Sequence, residues 1–378
     1  MLIIKSNTES RDKRGKIKMN NEKIILKELD YLKVMGILLV VIGHCTSIYT
    51  GGWVFTSPVN SPIYSLIASY VYTFHVPMLV FVSGAIYYYC RINKDKYSSL
   101  KVLIISKFKR LIVPFLFIGI LYSIPIKYII GMIEGNIINN IKYFILGLNT
   151  GHLWYLLMLF DIFIIFYLYE KFILNKKYSI ILNLILFSIL YISSEFFTNI
   201  FQINRAIQYS IFFYLGYEFF RNKDKLILKL ERFKTKNILI MIPVLTVISL
   251  VLILVSKMRL SNIMLSKLFS LINVVVALVC ITICYLIVYL INNRMKNITI
   301  KDKIDKLINV IGKYSFNIYL LHEPIIFIVL HFISSKYINP NVVVMLCLSI
   351  SISISILISI IYAKLKTVCN NREITFQQ

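Results

Sequence analysis

The chain reads as long apolar runs broken by short polar and charged connections, and the length of those runs is what a bilayer requires. A membrane-spanning helix takes roughly 20 mostly apolar residues. Ten runs of that order lie at 32–49, 63–89, 110–130, 152–173, 178–194, 205–220, 237–256, 267–292, 310–334 and 341–363, the fifth being short. The expected fold class is all-α, a polytopic membrane protein of about ten transmembrane helices. It divides into a basic leader (1–31), a membrane domain (32–363) and a tail (364–378).

Charge tests the count, because Lys and Arg concentrate in the connections on the cytoplasmic side. The leader through Lys33 carries nine basic residues, 91–110 seven, 171–177 three, 221–236 seven, 294–313 six and the tail three, together 35 of 42. The other seven are Lys127, Lys142, Arg205, Lys257, Arg259, Lys267 and Lys336, in the alternate connections and the helices beside them. Ten crossings preserve this alternation, and one more or one fewer breaks it. Both termini are expected in the cytoplasm.

Composition agrees, since 58% hydrophobic and 14% aromatic residues exceed what a water-facing fold of this size hides. A net charge of +25 would suggest nucleic-acid binding in a soluble protein. Here the cations lie between apolar runs, so membrane lipids are expected as partners and nucleic acid is not. Six scattered cysteines, Cys45, Cys90, Cys280, Cys284, Cys347 and Cys369, have no ligand spacing, so free thiols and no metal are expected.

No cleavage site follows the first apolar run, so helix one should remain as an anchor. The second methionine, Met19, marks 1–18 as a candidate extension. With no repeat, low-complexity tract or appended soluble domain evident, and the longest outer connection at 131–151, the chemistry is expected inside the bundle.

Ionisable residues within a span are costly and mark functional paths. In helix one, Lys33 and His44 are eleven residues apart, which leaves them about 20° apart around the axis and about 16 Å apart along it. Asp30 shares their face. Lys33 is thereby placed at the cytoplasmic boundary and His44 past mid-membrane, where a neutral imidazole can act as general base. The plainer alternative is a snorkelling lysine and a histidine that links two helices.

Helix two carries His75 two residues before Pro77, which leaves the Thr73 carbonyl without its donor. A kink beside a cavity, with His75 at the depth of His44, is the functional reading. A polar link between packed helices, with Ser83, Gly84 and Ala85 as a small-residue contact, is the other.

Helix four opens with His152 and Trp154 behind a possible Asn149 or Thr150 cap, a place to receive a polar acceptor or merely an interfacial anchor. Asp161 lies deeper in the same helix. Helix nine places His322 and Glu323 near mid-membrane, followed by Pro324. Adjacent on one helix, they point apart and form no dyad, but either can face the cavity of His44. His331 is read as structural. On the cytoplasmic side, Lys107, Lys109 and Arg110 precede Pro114, where basic groups can hold phosphates or simply mark topology.

LDYLK with the Lys33–His44 spacing, FHVPMLVFVSG, HLWYL and SFNIYLLH, in this order, resemble acyltransferase family 3, polytopic membrane enzymes that acylate cell-surface glycans and lipids. The resemblance implies a bacterial inner (plasma) membrane acyltransferase of the O-acetylase type, without the extracellular domain that some members append. Its co-substrate would be acetyl-CoA or another acyl-CoA, with no tightly bound cofactor. Its acceptor would be a surface polysaccharide or lipid-linked glycan.

The family's cytoplasmic RxxR motif would fall on Lys107 and Arg110, with lysine in the first place, so charge is kept and bidentate phosphate contact is not. Lys33, Lys107 and Arg110 would bind the donor. His44 and His75 would be catalytic, and His152, Trp154, His322 and Glu323 would meet the substrate. His44 would deprotonate a sugar hydroxyl that attacks the thioester, or would itself carry the acyl group. The competing readings are a multispan transporter or flippase for lipid-linked sugars and a glycan polymerase. Inverted-repeat symmetry would favour the first and large arginine-rich outer loops the second, and the sequence shows neither.

Overall fold

A computed structural model describes residues 2–51, 54–174, 179–256 and 263–375, with side chains from 23 to 365 within those ranges, residues 263 and 264 excepted. It is 85% helical, with no strand among the described residues. In chain order the helices are α1 (Leu2–Thr46), α2 (Pro62–Tyr72), α3 (His75–Tyr88), α4 (Leu100–Lys107), α5 (Val113–Ile118), α6 (Ile124–Ile129), α7 (Ile137–Ile145) and α8 (Trp154–Phe172). There follow α9 (Ile180–Ser193), α10 (Ile203–Arg221), α11 (Lys223–Arg232), α12 (Thr235–Ser256), α13 (Ile263–Phe269), α14 (Leu271–Tyr289), α15 (Ile298–Ile333) and α16 (Pro340–Thr375).

Eight of the described helical stretches are long and apolar enough to cross a bilayer, beginning with Lys23–Tyr49 and ending with Pro340–Leu365. The two remaining runs of the hydropathy pattern became α9, which is apolar but short, and α10, which is long but includes Arg205, Glu218 and Arg221. The leader is continuous with the first span, because α1 runs unbroken from Leu2. The 131–151 connection holds α7, whose Phe144 stacks on Phe115 at 4.4 Å.

Three features of local chemistry shape the bundle. Helix two breaks at Thr73 and Phe74, between α2 and α3, just ahead of Pro77. Helix three is widened by π-helical turns at Phe108–Ile112 and Gly119–Ser123, each followed within two residues by a proline, Pro114 and Pro125. A missing N–H and a steric clash one turn back loosen the ladder there. Finally, α3 and α10 cross where Gly84 meets Gly216. A Cβ on Gly84 would stand 2.0 Å from the Phe213 carbonyl oxygen, and one on Gly216 would stand 1.9 Å from that of Phe81.

Between lipid-immersed helices the apolar effect supplies little drive, so close backbone approach and buried hydrogen bonds hold the bundle. Glu28 of α1 accepts from Tyr285 at 2.7 Å and from Asn293 at 2.6 Å, tying α1 to the end of α14. Glu170 of α8 accepts from Tyr87 of α3 at 2.6 Å. α15 packs along both α1 and α16. That central position carries its His322–Glu323–Pro324 segment against α1 and the start of α8.

Candidate functional site

Pro324 is the local cause of the site's geometry. Its ring nitrogen cannot donate to the carbonyl of Leu320 one turn earlier, and that carbonyl instead accepts from Nε2 of His152 at 3.1 Å. The opposite ring nitrogen, Nδ1, lies 2.9 Å from Oε2 of Glu323, while the backbone N–H of His152 donates to Oε1 at 3.2 Å. Both ring nitrogens of His152 are therefore committed, and the ring is a fixed brace between α8 and α15. Tyr319 adds a further link, its hydroxyl donating to the His152 carbonyl.

Glu323 also holds Lys127, whose Nζ stands 3.3 Å from Oε2. Gly151 is pressed against this pair with φ +54, and a Cβ there would fall 2.5 Å from the lysine nitrogen and 2.7 Å from the carboxylate. Only glycine suits a left-handed turn pressed against an ion pair. With its charge neutralised and several donors in place, the buried carboxylate meets the condition under which such groups are tolerated.

His44 and His322 complete the cluster. Their ring centroids are 5.1 Å apart, and those of His152 are 6.5 Å from His44 and 4.9 Å from His322. Nδ1 of His322 faces the carbonyls of Ile318 and Tyr319 at 3.0 and 2.8 Å, so it carries a proton and donates to them. Its Nε2 is buried with no hydrogen-bond partner among the described residues.

The structure thus brings together four of the singled-out residues, His44, His152, His322 and Glu323. His75 lies one ring away. Tyr72 stands 6.2 Å from His44 and 5.0 Å from His75, while Nδ1 of His75 is tied to the Val71 carbonyl at 2.8 Å. Trp154 does not join the cluster, since its ring packs under the Arg205 guanidinium at 4.3 Å, toward α10. Asp161 has a buried Oδ2 with no hydrogen-bond partner among the described residues, and His331 contacts Phe332 at 5.2 Å.

A cavity of about 300 Å³ lies among α1, α3, helix three, α8 and α15, and Lys33, Lys107 and Arg110 all line it. Lys313 is a fourth basic lining residue, and among the described residues no carboxylate lines the space. Lys33 is held by Asp30 at 2.9 Å. Lys107 is buried and forms no ion pair among the described residues, and its Nζ rests 3.6 Å above the Phe163 ring and 4.9 Å from that of Tyr97. Burial raises the Tyr97 hydroxyl above its ordinary value, so it stays neutral beside these cations. The inner lining is apolar and aromatic, with Ile37, Leu79, Tyr155 and Tyr319.

A second cavity, of about 240 Å³, meets the cluster from the other end of the bundle. Lys127 and Gly151, both in contact with Glu323, line it together with Ser123, Asn140 and Asn149. Along helix three the first cavity reaches Lys107 and Arg110 and the second Ser123 and Lys127, separated by about 20 Å of rise.

Lys127, Lys313 and Tyr319 escaped the reading of the sequence. The two lysines counted there only as topology marks or span boundaries, and the tyrosine was one of 26. The available signal was Lys127 inside the apolar run IPIKYII, a charge within a span.

A bundle of membrane-length helices enclosing a polar cluster, with a basic cavity on one side and a polar cavity on the other, defines a multi-pass membrane protein with an internal site. Comparison with protein families makes this specific. The model of acyltransferase family 3, described as an acyltransferase domain, matches residues 26–360. The chain belongs to that family and is a membrane acyltransferase. No curated protein and no solved structure matches it.

Proposed function

We propose that the protein transfers an acyl group, acetyl in the first instance, from acyl-CoA to a hydroxyl of a surface glycan or its lipid-linked precursor. The observation that carries this reading is a basic cavity, with no carboxylate in its lining among the described residues, set beside the pair of half-buried His44 and fully buried His322. Lys33, Lys107, Arg110 and Lys313 would take the phosphates of the donor, and the apolar inner lining would take its thioester arm. The acceptor hydroxyl would come through the second cavity, past Ser123, Asn140 and Asn149.

In the proposed step His44 accepts the hydroxyl proton as the oxygen attacks the thioester carbonyl. A carbon–oxygen bond forms, the carbon–sulfur bond breaks, and the proton passes to the departing thiolate, giving the ester and free coenzyme A. His322, with its unpartnered Nε2 beside His44, is the second proton-accepting group of the pair. His152 orients the site, because neither of its ring nitrogens is available. The role of Glu323 is to hold His152 and Lys127 in place.

Deleting the gene and profiling the surface glycans by mass spectrometry and NMR tests the reading. The expected result is loss of an ester-linked acyl group, restored by the wild-type gene and not by His44→Ala. Unchanged glycan acylation after deletion would overturn the acceptor assignment.

A further inference from the structure

We propose that Tyr319, with Tyr155 beside it, sets the length of the acyl chain the enzyme accepts, confining it to short acyl groups. The inference rests on the donor reading above. Tyr319 both lines the basic cavity and touches the histidine cluster, with its ring 5.5 Å from that of His152 and 6.1 Å from that of His322. The Tyr155 ring lies 5.6 Å from it and lines the same cavity.

The acyl end of an arm that enters past Lys33 and Arg110 therefore meets these two rings at the edge of the histidine cluster. The wall is stiff. The Tyr319 hydroxyl is bonded to the His152 carbonyl, the backbone carbonyl of Tyr319 accepts from the His322 ring at 2.8 Å, and Tyr319 is buried. A close-packed aromatic floor yields little to added methylenes, since overfilling forces strained rotamers. An acyl carbonyl placed beside His44 then has room for a short tail only, and a longer chain holds the carbonyl back in the cavity.

The test measures competition of acetyl-, butyryl- and octanoyl-CoA for the purified full-length protein in lipid nanodiscs, using radiolabelled acetyl-CoA as the probe. Wild type should favour acetyl-CoA over octanoyl-CoA by at least about tenfold, the scale on which apolar pockets discriminate chain length. Tyr319→Leu should reduce that ratio to near unity or invert it. Tyr319→Phe keeps the ring and loses only the hydroxyl, so it should retain the wild-type ratio, and a thermal melt of each variant confirms that it is folded.

An unchanged ratio in folded Tyr319→Leu would overturn the inference and leave the donor reading intact. Loss of the ratio in Tyr319→Phe as well would assign it to the hydroxyl bond and overturn the ring-wall account. Failure of wild type to bind any of the three thioesters would overturn the donor reading itself.

Discussion

Glu323 shows how much one residue in this site depends on its neighbours. It faces Lys127 at 3.3 Å and His152 at 2.9 Å in a buried setting, so removing its charge leaves a lysine uncompensated. Breaking a buried pair from one side costs about 3–5 kcal/mol, whereas replacing both partners is far milder. Glu323→Gln should therefore lower thermal stability in detergent by about that much. The double variant Lys127→Met/Glu323→Gln should recover much of the loss without recovering acyl transfer. Strictly additive losses would show that the pair is not coupled.

The sequence made four of the clustered residues legible, because His44, His152, His322 and Glu323 are ionisable groups inside apolar runs. It did not separate their roles. Those depend on which carbonyl Pro324 releases and which helix end arrives to use it, and both are matters of packing between residues some 170 apart in the chain.

At the scale of helices, the crossing of α3 and α10 is a tight constraint, backbone against backbone. The 83–85 small-residue step was visible in the sequence, but its partner Gly216 was not, since nothing in a single helix says which neighbour it will meet. With backbone oxygens 2.0 and 1.9 Å from the missing Cβ positions, even one methyl group forces the helices apart. Gly84→Ala and Gly216→Ala should each lower the melting temperature and reduce the folded yield in membranes. A wild-type melt for either variant would contradict the close crossing.

The turns of helix three follow a similar logic. Pro114 stood in the sequence only as the residue behind the basic cluster, whereas the π-helical turns ahead of Pro114 and Pro125 became visible only with the helix in place. Helices α9 and α10 show where hydropathy loses resolution. One is apolar but short, and the other buries an aromatic core while carrying charge near both ends.

At the scale of the whole molecule, two cavities approach one cluster from opposite ends, which suits a donor and an acceptor on opposite sides of a membrane. That arrangement fixes where exposed loops should lie. Asp95 is exposed in the connection near the basic cavity, and Glu134 is exposed near the polar one. With an impermeant maleimide, Glu134→Cys should label in intact cells and Asp95→Cys only after permeabilisation, measured above the wild-type background. Labelling of both from one side would overturn the topology.

The most direct measurement of the central claim supplies radiolabelled acetyl-CoA to inside-out membrane vesicles containing the full-length protein and counts base-labile label in the glycan and lipid fractions. Wild type should incorporate label, and His44→Ala, inserted to the same level, should incorporate at least about a hundredfold less, the lower bound for loss of a general base. Equal incorporation by the His44→Ala vesicles would contradict the account.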